Sequence, residues 1–137
     1  ITNAKIQDLA VSTLKIAGNA VTVPVVDQRF DTVSGIGVGN YITVASVTVT
    51  MDHPGVLFAI FTANQTYGSG LRTSHTMLIA PNGQPIIVGG QAVTTNICVS
   101  NTVSVGPGTH TWTVRWAGED SGVRIDARTL FVMGVKR

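Results

Sequence analysis

From about residue 28 onward, apolar and polar residues alternate with the period of two that puts one face of a β-strand against a core. In the Tyr41 to Met51 stretch, Val47, Val49 and Met51 fall on one side, and Ser46, Thr48 and Thr50 on the other. Asp52-His53-Pro54-Gly55 is a strong turn signal leading into Val56 to Ala63, so the two stretches read as a hairpin. A polar, Gly-rich loop follows from Asn64 to Gly70, then a strand from Ser74 to Ala80, a turn at Pro81-Asn82-Gly83-Gln84 and a strand through Ile86-Ile87-Val88. The Gln91 to Val105 stretch is rich in Val and Thr, and Gly106-Pro107-Gly108 turns the chain into Thr109 to Trp116, whose inward set is His110, Trp112, Val114 and Trp116. After the Ala117 to Gly122 loop a last strand runs from Val123 to Val135. Roughly eight short strands with turns at regular intervals predict an all-β fold, an antiparallel β-sandwich of the jelly-roll kind.

The opening of the chain follows another rule. Every fifth residue is β-branched: Ile1, Ile6, Val11, Ile16, Val21 and Val26. Chance would give six such hits less than about once in a thousand tries. A step of five keeps side chains together neither on a straight helix nor on a straight strand. Short extended pieces separated by bends do keep them together, and three copies wound about one axis bring the Ile and Val rows into a shared core. A second reading also stands for residues 3 to 17. Ile6, Leu9, Ala10, Thr13 and Ala17 make the stripe of an amphipathic helix, with Lys5, Gln7, Asp8, Ser12 and Lys15 opposite. Either form leaves an apolar stripe that needs a partner. The chain thus divides into a stem or trimerisation segment, 1–27, and a sandwich tip, 28–137.

Two of the expected strands, Val56 to Phe61 and Leu130 to Val135, are apolar on both faces, which calls for a second packing layer. Composition agrees. Apolar residues make up 44% and charged residues only 12%, too few to cover a lone monomer of this size. A membrane span needs about 20 consecutive apolar residues, and the longest run is Val56-Leu57-Phe58-Ala59-Ile60-Phe61, so burial between chains is expected without membrane insertion. The expected homotrimer is lined by the repeat positions and by Phe58 and Phe131. Val and Thr supply 38 of the 137 residues, whereas Glu occurs once. A net charge of +2 gives no basic face for nucleic acid. The absence of a start methionine points to a piece of a longer chain that continues on the N-terminal side.

Catalytic chemistry has little to stand on. A glycosidase needs two placed carboxylates, and among seven acids only Glu119 and Asp120 are adjacent, in a Gly-flanked loop that reads as a solvated turn. Gly68-Ser69-Gly70 is a flexible loop and lacks a nucleophile elbow. Gly35-Ile36-Gly37-Val38-Gly39 has no helix behind it, so a bend between strands accounts for it better than a phosphate loop. His53, His75 and His110 are isolated, and no metal and no cofactor are expected. Cys98, between Ile97 and Val99, reads as an inert core thiol.

The elements Asn-Ala-Lys-Ile, Leu-Ala-Val, Thr-Leu-Lys-Ile and Gly-Asn-Ala-Val, at residues 3–6, 9–11, 13–16 and 18–21, resemble the stretch near the C-terminal ends of bacteriophage tail fibres and tail-tip host-specificity proteins. The segments from Gly106 to Trp112 and from Ala127 to Gly134 are similar to the β-sandwich tips of the same proteins. The resemblance implies a homotrimeric tip at the distal end of a virion's tail fibre. It would contact a bacterial surface polysaccharide or outer-membrane receptor, with the rest of the fibre on its N-terminal side. A purely structural trimerisation domain is the alternative, and a polysaccharide depolymerase a third. No fixed binding motif carries over, so candidate receptor-binding residues come from the loops. Tyr67 offers a ring to a sugar face, with Asn64, Gln65, Ser69, Arg72 and Ser74 as a polar surround. Arg72 suits a hydroxyl or a sugar carboxylate, Glu119 or Asp120 accepts hydroxyl hydrogen bonds, and Trp116 stands at the loop's edge.

Overall fold

The computed structural model describes residues 24–92 and 96–136. The repeat positions Ile1, Ile6, Val11, Ile16 and Val21, and both readings of residues 3–17, lie outside them. All nine described elements are strands, in two antiparallel sheets that face each other. One sheet has the order β1 (Pro24–Arg29), β9 (Val123–Lys136), β4 (Gly55–Tyr67), β7 (Ile97–Val105), and the short β2 (Val33–Ser34) also pairs with β9. The other has the order β3 (Ile42–Met51), β8 (Gly108–Gly118), β5 (Arg72–Ile79), β6 (Pro85–Ala92). The expected all-β sandwich is therefore the fold. β1 includes Pro24 to Asp27, which pair with Met133 to Leu130 of β9.

Alternation fixes which face each strand buries. Val47, Val49 and Met51 of β3 and Trp112, Val114 and Trp116 of β8 meet Leu57, Phe61, Ile125, Leu130 and Val132 from the opposite sheet. Arg128 also points inward, only 3% exposed. Its guanidinium donates to the carbonyls of Val44 (2.7 Å), Asp31 (2.7 Å) and Asp126 (3.1 Å) and to the Asp31 carboxylate (3.0 and 3.2 Å), so a buried cation has every N–H engaged.

One expected pairing is corrected. β3 and β4 form no hairpin, because the turn at Asp52-His53-Pro54 carries the chain from one sheet to the other. β4 lies between β7 and β9, and both flanks come from much later in the sequence. A turn signal marks where a chain reverses but does not choose the strand's partner. The expected loop from Asn64 is also largely strand. β4 shifts register between Ala63 and Gln65 and continues to Tyr67.

The two outer faces differ. On the β1-β9-β4-β7 sheet, Val26 sits beside Phe131 and Phe131 beside Ile60; the next row pairs Met133 with Phe58, and the next Val135 with Val56. Val26 is 51% and Val135 48% exposed, and the others are half-buried. Over β3 and β8 the other sheet presents Ser46, Thr48, Thr50, Thr109, Thr111 and Thr113 instead.

Candidate functional site

The two lateral edges of the sandwich are finished differently. At the β1/β3 edge the Asp27 carboxylate accepts from the Ser46 backbone N–H (2.9 Å) and pairs with Arg29 (2.9 Å), which ties one sheet to the other. Burial alone pushes the Asp27 carboxyl up. The hydrogen bonds from Arg29 and Ser46 and the Arg29 charge outweigh it, and the group is held below its ordinary value.

The opposite edge is open among the described residues. Between β6 and β7 lies a cleft of about 290 Å³. Its floor comes from Gln65 and Tyr67 of β4 and Ser74 and Thr76 of β5, its walls from Val88, Gly89 and Gly90 of β6, and its far side from Asn96, Ile97 and Cys98. Gly89 is required: at φ +151° a Cβ would fall inside the Ser74 carbonyl group. No Asp, Glu, Lys or Arg lines the cleft among the described residues.

A chain of hydrogen bonds runs beneath the floor. Trp116 Nε1 can only donate, so Gln65 must turn its Oε1 to it (2.7 Å). Gln65 Nε2 then donates to Tyr67 Oη (2.6 Å), and Tyr67 Oη and Ser74 Oγ share a hydrogen bond (3.1 Å) in which either hydroxyl can donate. One of these two hydroxyl hydrogens is left for whatever occupies the cleft. Gln65 is 2% exposed, and each end of its amide has one partner, which leaves its second N–H unused.

The loop candidates meet at one end of the sandwich, but on each other. Arg72 pairs with Asp120 (3.0 Å) and donates to the Ser69 carbonyl (3.1 Å). Glu119 accepts from the Thr73 N–H (2.8 Å) and donates its own N–H to the Thr73 carbonyl (2.9 Å), while Asp120 caps Gly122 N–H (2.8 Å). These side chains fasten the β4–β5 turn to the β8–β9 turn. Trp116 is corrected outright: fully buried at the centre of the core, it presents no face to a ligand. Tyr67 packs its ring against the core and turns its hydroxyl to the cleft floor, so it serves as a hydrogen-bonding group and not as a stacking platform. Asn64, exposed at the β4 irregularity, lines a second, shallower hollow of about 320 Å³ with Phe30 and Gln28. Val26, Phe58 and Phe131, from the expected trimer interface, share the apolar outer face.

Cys98 is also corrected. It is exposed, because its apolar neighbours Ile97 and Val99 both face the core and alternation sends the thiol to the other side. Thr76 is the floor residue that sequence reading missed. Its signal was inward alternation with Ser74 and Leu78 along β5, a polar pair on a core-facing row.

No protein-family model matches the sequence, nor does any curated protein. Among solved structures, a chain of infectious bursal disease virus, Gx strain, is 10% identical with a TM-score of 0.50, over 82% of this chain and 33% of that one. Dimeric latent PorU from Porphyromonas gingivalis is 10% identical with a TM-score of 0.50, over 85% of this chain and 13% of that one. A protein of the disulfide-linked pili of Bacillus endospore appendages is 13% identical with a TM-score of 0.47, over 87% of this chain and 94% of that one. The chain thus spans about a third of the viral chain it matches. At these identities the likeness is one of fold, a two-sheet antiparallel β-sandwich.

Proposed function

We propose that the chain is the non-catalytic, host-attaching tip of a bacteriophage tail fibre, a homotrimer of jelly-roll sandwiches that binds bacterial surface polysaccharide. The strand order β1-β9-β4-β7 over β3-β8-β5-β6 fits the jelly roll, with six of the eight strand-to-strand connections crossing between sheets. The observation that carries the reading is the apolar outer face of β1, β9 and β4. Val26, the last member of the five-residue series, lies on the apolar face beside Phe131, whose other neighbour is Ile60. The last residue of the series thus lies on the face that needs a partner in the tip. Assembly through that face leaves the open edge cleft and the loop end free for a receptor.

Binding is favoured over bond cleavage because the adjacent acids are spent on structure: Glu119 holds Thr73, and Asp120 holds Arg72 and Gly122. The same commitment of the loop end supports the purely structural alternative, which the following experiment separates. The purified chain is added to host cells before phage, with and without enzymatic removal of surface polysaccharide. The attachment role expects the chain to bind intact cells and block phage adsorption, and expects stripped cells to lose both. A chain that ignores intact cells sinks the attachment role.

A further inference from the structure

The open edge cleft is built for a ligand of one electrical kind. Its polar groups are an amide, a phenol, two hydroxyls and the Asn96 side chain at the rim, with no charged residue among the described ones that line it. A carboxylate or phosphate entering it would lose water without meeting a cation. A neutral polyol loses water to groups of its own kind, since a hydroxyl both donates and accepts.

The donors are presented and not self-satisfied. The chain from Trp116 ends with one hydroxyl hydrogen, that of Tyr67 or of Ser74, left over. Among the described residues, neither the second N–H of Gln65 nor the Thr76 hydroxyl is hydrogen-bonded, although Gln65 and Thr76 are each 2% exposed. Val88 and Ile97 give apolar walls for the C–H face of a ring. The volume of about 290 Å³ lies at the small end of ligand sites and suits one ring with its chain continuing outward. An extended peptide fits less well. Gly89 and Gly90, at φ +151° and +146°, break the regular outward ladder of β6 that a further strand would need.

We infer that the cleft between β6 and β7 is a subsite for one neutral pyranose unit of a polysaccharide, held by Ser74, Thr76 and Gln65, and that it rejects uronic acids. This rests on the attachment reading and names its ligand class. It also moves recognition away from Arg72.

The two tryptophans supply the test. Trp116 heads the hydrogen-bond chain that ends in the cleft, whereas Trp112 Nε1 is buried with no partner. The ¹⁵N-labelled full chain gives one indole N–H resonance from each, assigned with Trp112→Phe. It is titrated with methyl glycosides of glucose, galactose, mannose and N-acetylglucosamine, and separately with glucuronate and galacturonate. At least one neutral glycoside is expected to shift the Trp116 resonance saturably at millimolar concentration while Trp112 stays in place, with the uronates inert. Thr76→Val, which keeps the shape and deletes the hydroxyl, is expected to weaken that response about fivefold or more. No response to any neutral glycoside, an equal response to uronates, or an undiminished response in Thr76→Val overturns the subsite. Cell binding is read in parallel: glycoside response without cell adsorption upholds the subsite and removes the attachment role, and adsorption without glycoside response does the reverse.

Discussion

Trp112 and Trp116 are four residues apart on β8, both fully buried, and chemically unlike in one respect. Trp116 gives its indole proton to Gln65, while the Trp112 N–H has no partner. Replacing either by Phe removes a similar volume from the core. Trp116→Phe also orphans a buried amide oxygen, whereas Trp112→Phe deletes an unsatisfied donor. Trp116→Phe is therefore expected to cost about 1–3 kcal/mol more, read from urea unfolding of the two variants at one protein concentration. Equal losses would mean that the Gln65 bond contributes nothing to stability. Residue identity alone did not reveal this difference, since both tryptophans read as inward-facing on alternation. Cys98 makes the same point: its sequence neighbours are apolar, but they are not the atoms it lies among. Tyr67 reads from the sequence as a ring offered to a ligand, but β4 runs on past Ala63 to Tyr67, which packs the ring against the core and leaves only the hydroxyl at the cleft floor.

Strands were legible wherever one face met water, as in β3 and β8, where Val or Trp alternates with Thr. Their partners were not, because pairing is settled by contacts far apart in sequence: the turn at Asp52 to Pro54 announces β4, yet β4 pairs with β7 and β9. The cleft was illegible for the same reason, since β4, β5, β6 and β7 each contribute to it. The closure of the opposite edge by β1 is testable by pH. Asp27 has a lowered pKa in the folded chain, so its contribution is present above the unfolded value of about 3.9 and fades as pH falls through the folded value. Asp27→Asn is expected to lower stability by about 1 kcal/mol at pH 7, the size of a screened ion pair with one hydrogen bond. The gap between the parent and Asp27→Asn should close as pH is taken below about 3.9. A gap that persists unchanged at acid pH would assign the loss to packing and not to the carboxylate.

At the scale of the molecule the outer faces decide how the chain is used. Over β3 and β8 one sheet shows water a band of Ser and Thr, with Met77 and Ile87 outward on its β5 and β6, and the other shows it Val26, Phe131, Ile60, Met133, Phe58 and Val56. The composition foretold this surplus, and the two-sided apolar strands Val56 to Phe61 and Leu130 to Val135 located it, because a strand's two faces can be read separately. If the apolar face is the contact between copies, an acid placed at its centre meets the same desolvated surface in every protomer, at several kcal/mol each. Phe58→Asp is therefore expected to leave the chain monomeric where the parent forms the proposed trimer. Thr48→Asp, which puts the same charge on the exposed face of the other sheet beside Thr111 (3.0 Å), leaves assembly unchanged. Sedimentation velocity at micromolar concentration distinguishes them, with circular dichroism confirming that both variants keep their strands. A parent chain that sediments as a monomer, or a Phe58→Asp variant that stays trimeric, removes this face from the interface.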